Sequence, residues 1–186
     1  FQLVRLYFHI HHHTALGETV VQEDPGLTEQ LTLLLMHCMM VRKYAGAELW
    51  QYIICNILPK YHGKISKTNL ETELALHFQK TVNLAPFNGT YNTLFSSLHL
   101  VEISSNEYSL IPHNFNEECI YLYAYILYEY WDEWISSFDP TKKDALKISN
   151  TELTSLQLAE IGFSFPFGWN EQDEYRALEA MNDKGI

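Results

Sequence analysis

Between residues 116 and 136 the chain reads NEECIYLYAYILYEYWDEWIS, with apolar or aromatic side chains at Cys119, Ile120, Leu122, Tyr123, Ala124, Ile126, Leu127, Tyr130, Trp131 and Trp134. The pattern predicts a helix with nearly every face fit for burial, and we expect the remaining elements to pack round it. It is too rich in tyrosine, and too short against the roughly 20 apolar residues of a bilayer span, to cross a membrane. Asn114 with Glu117 has capping-box spacing, and Glu117 and Glu118 suit the positive end of the helix dipole.

Upstream the pattern changes several times. Residues 1–10 are rich in strand formers and alternate imperfectly, which predicts a strand. Thr14 is placed to cap a short helix reaching about Val21. After the Asp24-Pro25-Gly26 turn, Leu27, Leu31, Leu34, Leu35, Cys38, Met39 and Val41 mark a helix that starts at Pro25 or Thr28 and runs to Tyr44. Met36, Met39 and Met40 read as core filling rather than as a groove for a partner helix. Ala45-Gly46 breaks the periodicity, and Leu49, Trp50, Ile53, Ile54 and Ile57 predict a helix over 47–58 that Pro59 ends.

Residues 60–67, KYHGKISK, read as a polar connection. Thr68 with Glu71 has capping-box spacing before a helix to about Lys80, with Leu70, Leu74 and Phe78 on its inner face. Past Pro86, Asn88-Gly89 opens a third helix over 90–98, where Tyr91, Leu94, Phe95 and Leu98 recur at helical spacing. Residues 100–103 and 107–111 flank Ser104-Ser105-Asn106 and predict a β-hairpin. Three helices and a hairpin form the element order of a winged helix, whose third helix would face a DNA groove. Asn88, Thr90, Asn92 and Ser96 are the candidate hydrogen-bonding contacts to nucleic acid. Lys60, His62, Lys64 and Lys67 are the candidate basic contacts, although a solvated loop is the preferred reading of that stretch.

Beyond the central helix, Asn150 or Thr151 begins a helix through Leu158. The aromatic loop Phe163, Phe165, Phe167 and Trp169 is a candidate partner-docking cluster, with inter-helix packing as the commoner use of such residues. Asn170 with Asp173 starts a last helix that contains Tyr175, Leu178 and Met181 and stops at Lys184-Gly185. Helix, helix and an approaching strand suggest a second, truncated winged-helix-like unit. The expected fold is therefore mainly α, with winged-helix-like units around a central buried helix. Its parts are an N-terminal strand and helices (1–46), a winged-helix-like unit (47–111) and the central helix with a C-terminal helical unit (112–186), which together make one compact domain or two small ones.

Composition narrows the functional classes. With 47% hydrophobic residues the chain has ample material for a core, so disorder is excluded. Cys38, Cys55 and Cys119 lack metal-ligand spacing and read as buried reduced thiols. The run His9, His11, His12 and His13 reads as a strand-to-helix junction rather than a metal site. No phosphate-cradling glycine loop, helical HExxH or nucleophile elbow occurs. Glu129, Asp132 and Glu133 lack the partner histidines of a di-metal site and read as helix surface. We therefore expect no catalytic residue, no cofactor and no metal, in a protein that is not an enzyme. The formal charge of −11 requires any nucleic-acid role to use a segregated basic face. No leader or membrane span is visible, and a cytoplasmic protein is expected. Phe1 at one end and Lys184-Gly185-Ile186 at the other suggest that both ends are cut from a longer chain.

Several short runs resemble a known family. Thr14-Ala15-Leu16-Gly17-Glu18, Asp24-Pro25-Gly26, Ala47-Glu48-Leu49-Trp50, Leu110-Ile111-Pro112 and Tyr125-Ile126-Leu127-Tyr128-Glu129-Tyr130-Trp131 are similar to parts of the family of unknown function numbered four thousand and seven. The family's amino-terminal His-Glu-Thr-Phe type motif has no counterpart here. The resemblance implies a bacterial protein encoded beside DNA-modification genes, notably DNA phosphorothioation and its restriction systems. It further implies duplex DNA or other proteins of such a system as partners, with no established functional residues.

Overall fold

The computed structural model describes residues 15–137 and 155–186. The predicted strand over 1–10, the histidine run and the segment after Ser137 up to residue 154 lie outside the described residues.

Helix α1, Ala15–Glu23, leads into a turn organised by Asp24. Its carboxylate accepts the backbone amides of Thr28 at 2.9 Å and Glu29 at 3.0 Å. These bonds hold Leu27 at a φ of 52°, a strained value for a branched side chain. The same bonds set the start of α2 at Gln30 rather than at Pro25 or Thr28, and α2 closes at Val41 because Arg42 is extended, with ψ 148°. Met36 is buried, and Met39 and Met40 pack on the core as filling.

Helix α3 runs as α-helix over Glu48–Gln51, widens into a π-helical segment over Tyr52–Ile57 and closes in a last α turn, Leu58–Lys60. Leu58 N–H bonds to Ile53 O across the wider turn. The widening has a cause in Pro59, whose ring would crowd the carbonyl one regular turn back. The helix thus extends past the proline that the sequence marks as its end.

Next come β1, Lys64–Ser66; α4, Lys67–Phe78; α5, Ala85–Asn92; a 3-10 turn, Ser96–Leu98; and the strands β2, Val101–Ile103, and β3, Glu107–Leu110. The sheet is antiparallel in the order β1-β3-β2, with Ile65 opposite Tyr108 and Tyr108 opposite Ile103. Three helices plus a hairpin are therefore present in the expected order. Two expectations are corrected. Residues 64–66 are a strand rather than part of a loop: Ile65 is buried among polar neighbours and anchors the alternation. The third helix starts five residues early and ends at Asn92, because Pro86 fits a first helical turn and Thr93, with φ −123° and ψ −77°, breaks the spiral.

The hairpin turn is closed by Ser104, whose amide donates to Glu107 O at 2.9 Å while its Oγ accepts the Glu107 amide at 3.0 Å. A 3-10 turn, Glu117–Cys119, then introduces α6, Ile120–Ser136. Its cap is Asn116, accepting from the Glu118 amide at 3.0 Å, rather than Asn114. Helix α7, Ser155–Ile161, a 3-10 turn, Phe165–Phe167, and α8, Glu171–Asp183, complete the described chain. Asn170 caps α8 as predicted, accepting from Gln172 and Asp173 amides. Among the described residues only the first unit carries a sheet; α7 and α8 gain no strand.

The expectation that all else wraps the tyrosine-rich helix is also corrected. Helix α6 buries Tyr123, Ile126, Tyr130 and Trp134, but Tyr121 and Tyr128 are 70% and 66% exposed. Helix α2 has neighbours on several sides, packing on α3, on α6 and on the 3-10 turns Ser96–Leu98 and Phe165–Phe167. A single hydrophobic cluster continues from Leu33 through the winged-helix-like unit to Met181. No helix among the described residues is long and apolar enough to cross a membrane.

Candidate interaction surfaces

The would-be reading helix presents its polar side chains as expected. Asn92 and Ser96 are exposed and Asn88 and Thr90 half-buried, while Phe87, Tyr91 and Phe95 turn inward. Much of that polarity is already engaged locally. Thr90 Oγ1 donates to Pro86 O at 2.9 Å and Ser96 Oγ to Thr93 O at 2.8 Å. Asn88 Oδ1 accepts from the Tyr108 hydroxyl at 3.1 Å, which ties α5 to the sheet.

The basic candidates surround β1, and each lysine among them faces a carboxylate. Lys60 Nζ lies 2.7 Å from Glu73 Oε1, Lys64 Nζ 3.9 Å from Glu107, and Lys67 Nζ 4.0 Å from Glu71. The hydrogen bond to Glu73 raises the Lys60 pKa and lowers that of Glu73. The Tyr61 hydroxyl also donates to Glu73, at 2.6 Å. His62 is exposed at the tip of this connection, at a φ of 54°. On the outer face of the sheet Lys64 shares the surface with Glu102 and Glu107, so the register itself mixes the charges. From Thr81 to Thr141 the sequence contains no lysine or arginine at all. That interval holds α5, both hairpin strands and α6.

The aromatic loop is not a surface. Phe163 and Phe167 are wholly buried and Trp169 is 7% exposed. Phe167 and Trp169 stack with centroids 4.3 Å apart, and Tyr123 of α6 meets Trp169 edge-on at 4.9 Å. Trp169 Nε1 donates to His113 O at 2.7 Å. Phe165 alone of the four is half-exposed, beside a cavity of about 80 Å³ also lined by Cys55, Tyr130 and Gly162. The docking expectation for Phe163, Phe167 and Trp169 is corrected: the stack packs α6 against the C-terminal segment and offers a partner nothing.

Two features lie outside the sequence-based expectations. His37 is fully buried in α2, with Nε2 2.9 Å from Pro166 O and Nδ1 3.1 Å from the Tyr91 hydroxyl. The carbonyl requires Nε2 to carry the proton, so the phenol donates to Nδ1. Burial pushes the imidazole down to about 4. The second feature is the outward row Tyr121, Tyr125 and Tyr128 on α6, recognisable by its four- and three-residue spacing. Tyr125 is pushed up to about 12, chiefly by desolvation and then by the neighbouring Glu129.

Cys38 and Cys55 are raised by burial, Cys55 to about 12, which keeps both thiols protonated and unreactive. Glu133 is half-buried against Arg42 at 3.5 Å and accepts the Tyr44 amide at 3.3 Å. It serves to tie α6 to the end of α2. Among the described residues no group of three or more His, Cys, Asp or Glu side chains converges as metal ligands would. No known family, curated protein or solved structure matches this chain.

Proposed function

We propose that the protein is a non-enzymatic adaptor that holds other proteins through its exposed faces. The observation behind this reading is electrostatic. The presenting side of the winged-helix-like unit has no lysine or arginine on α5, β2 or β3, and the lysines beside it are matched one for one with carboxylates. Phosphate recognition draws its affinity from unpaired cations that displace counterions, and this face has few to offer. Its placement in a bacterial DNA-modification and restriction system rests on the short-run resemblance alone.

A second reading, contact with duplex DNA, draws on the exposed Asn92 and Ser96 beside a formed hairpin. In that reading Lys60, His62, Lys64, Lys67, Asn88, Thr90, Asn92 and Ser96 supply the contacts. Titrating duplex DNA into the full chain across a salt series separates the two. The adaptor reading expects no binding even at low salt, together with co-elution of the chain with products of neighbouring genes. Saturable DNA binding with a steep salt dependence, and no co-elution, would replace it with the second.

A further inference from the structure

Tyr121, Tyr125 and Tyr128 are 70%, 36% and 66% exposed. At about 100° per residue they fall within one narrow arc of α6, opposite the arc of Tyr123, Ile126, Tyr130 and Trp134 that enters the core. Three phenol rings in water on one helix face are unusual, because a solvated helix normally shows charged or small polar residues there. Carboxylates border the row. Glu117 and Glu118 are exposed one turn before Tyr121, and Glu129 lies one turn after Tyr125, where its charge adds to the desolvation that raises the phenol's pKa. Helix α6 bears no lysine or arginine, and Arg42, on the neighbouring α2 terminus, is engaged with Glu133.

The row is thus a strip of negative-faced rings edged by negative charge. We propose that it binds an arginine-bearing segment of a partner protein, with guanidinium planes lying over the phenol rings and their N–H groups donating to Glu117, Glu118 and Glu129. The proposal rests on the adaptor reading and names the chemistry of what is held. Charge complementarity selects this occupant over two others. A second copy would bring the same carboxylates against themselves, and a phosphate backbone would be repelled. The molecule already uses the same contact internally: Arg176 lies 5.3 Å over the Phe115 ring while its Nη1 is 3.9 Å from Asp173.

The test uses fluorescence anisotropy of the full chain with two labelled peptides of equal length and charge, one of alternating Arg and Gly, the other of alternating Lys and Gly. We expect the arginine peptide to bind more tightly than the lysine peptide. The double variant Tyr121→Ser/Tyr128→Ser should weaken it by about tenfold with an unchanged unfolding midpoint, as expected for two lost ring contacts. Glu117→Gln/Glu118→Gln should weaken it too and flatten its salt dependence. Absence of binding, or equal binding of both peptides that ignores the tyrosine variant, would overturn the proposal, as would a dimer that the same variant dissolves. Co-elution with partner proteins that survives Tyr121→Ser/Tyr128→Ser would remove this face while leaving the adaptor reading standing.

Discussion

Tyr91 donates its hydroxyl proton to Nδ1 of His37 across 3.1 Å, although the two residues are 54 positions apart in the chain. Because the other ring nitrogen donates to Pro166 O, one imidazole joins α2 to the helix of the winged-helix-like unit and to the aromatic turn before α8. All three partners are buried, so each hydrogen bond replaces a lost contact with water.

His37 has a folded-state value near 4 against an ordinary 6.5, so between those values the unfolded chain binds a proton that the folded chain refuses. Stability therefore falls as pH drops from about 6.5 to 4, by about 3 kcal/mol from this group. Glu133 and Glu174, both raised by burial, act in the opposite sense over their own range. The His37 contribution is accordingly read as the difference between wild type and His37→Gln in urea unfolding at each pH. Parallel curves for the two proteins would contradict it.

The aromatic stack gives a second prediction. Phe167→Ala removes a ring in contact with Trp169, Tyr123 and Phe163 and should cost about 3–5 kcal/mol, as large-to-small core changes do. A docking residue would instead leave the unfolding midpoint unchanged.

Two glycines should respond in opposite directions. A Cβ on Gly46 would sit 2.2 Å from Arg42 O and 2.7 Å from Met40 O, both backbone atoms that close the loop after α2. Gly46→Ala should therefore destabilise by about 2 kcal/mol or more. Gly89, inside α5, has nothing within 4 Å of such an atom, and Gly89→Ala should stabilise by about 0.5–1 kcal/mol through helix propensity. Thermal melts of the two variants check both signs.

Removing carboxylates should change what the surface binds. If Glu71, Glu73 and Glu107 neutralise the lysines near β1, then Glu71→Gln/Glu73→Gln/Glu107→Gln should acquire low-salt affinity for duplex DNA that the wild type lacks. Equal binding by both proteins in a gel-shift titration would show that the ion pairs are not what sets the affinity.

Among the described residues the helices, the hairpin and their order were legible because periodicity and turn chemistry are local. Ser104-Ser105-Asn106 closes its hairpin through its own side chain, and Asn170 caps α8 with its own carboxamide. The errors arose where distant contacts decide. Residues 64–66 look like a loop until β3 supplies the pairing partner that makes Ile65 a core position. The 163–169 aromatics look available until Tyr123 and His113, far along the chain, cover them. The candidate site was legible in its residue types but not in its charge, because Lys60, 13 positions before Glu73, finds that carboxylate only when the chain folds. The four- and three-residue spacing of Tyr121, Tyr125 and Tyr128 puts them on one face of α6 without saying that this face stays open. That depends on α2, α7 and α8 occupying only its other sides.

The absence of lysine and arginine from Thr81 to Thr141 also governs how this protein can be mapped. Trypsin has no cleavage site between Lys80 and Lys142, so α5, β2, β3 and α6 leave a digest together as one long peptide. Amine-reactive crosslinkers find no side-chain anchor in the same interval. Footprinting of the tyrosine row will need a protease that cuts at aromatic or acidic residues, or a label that reacts with phenols.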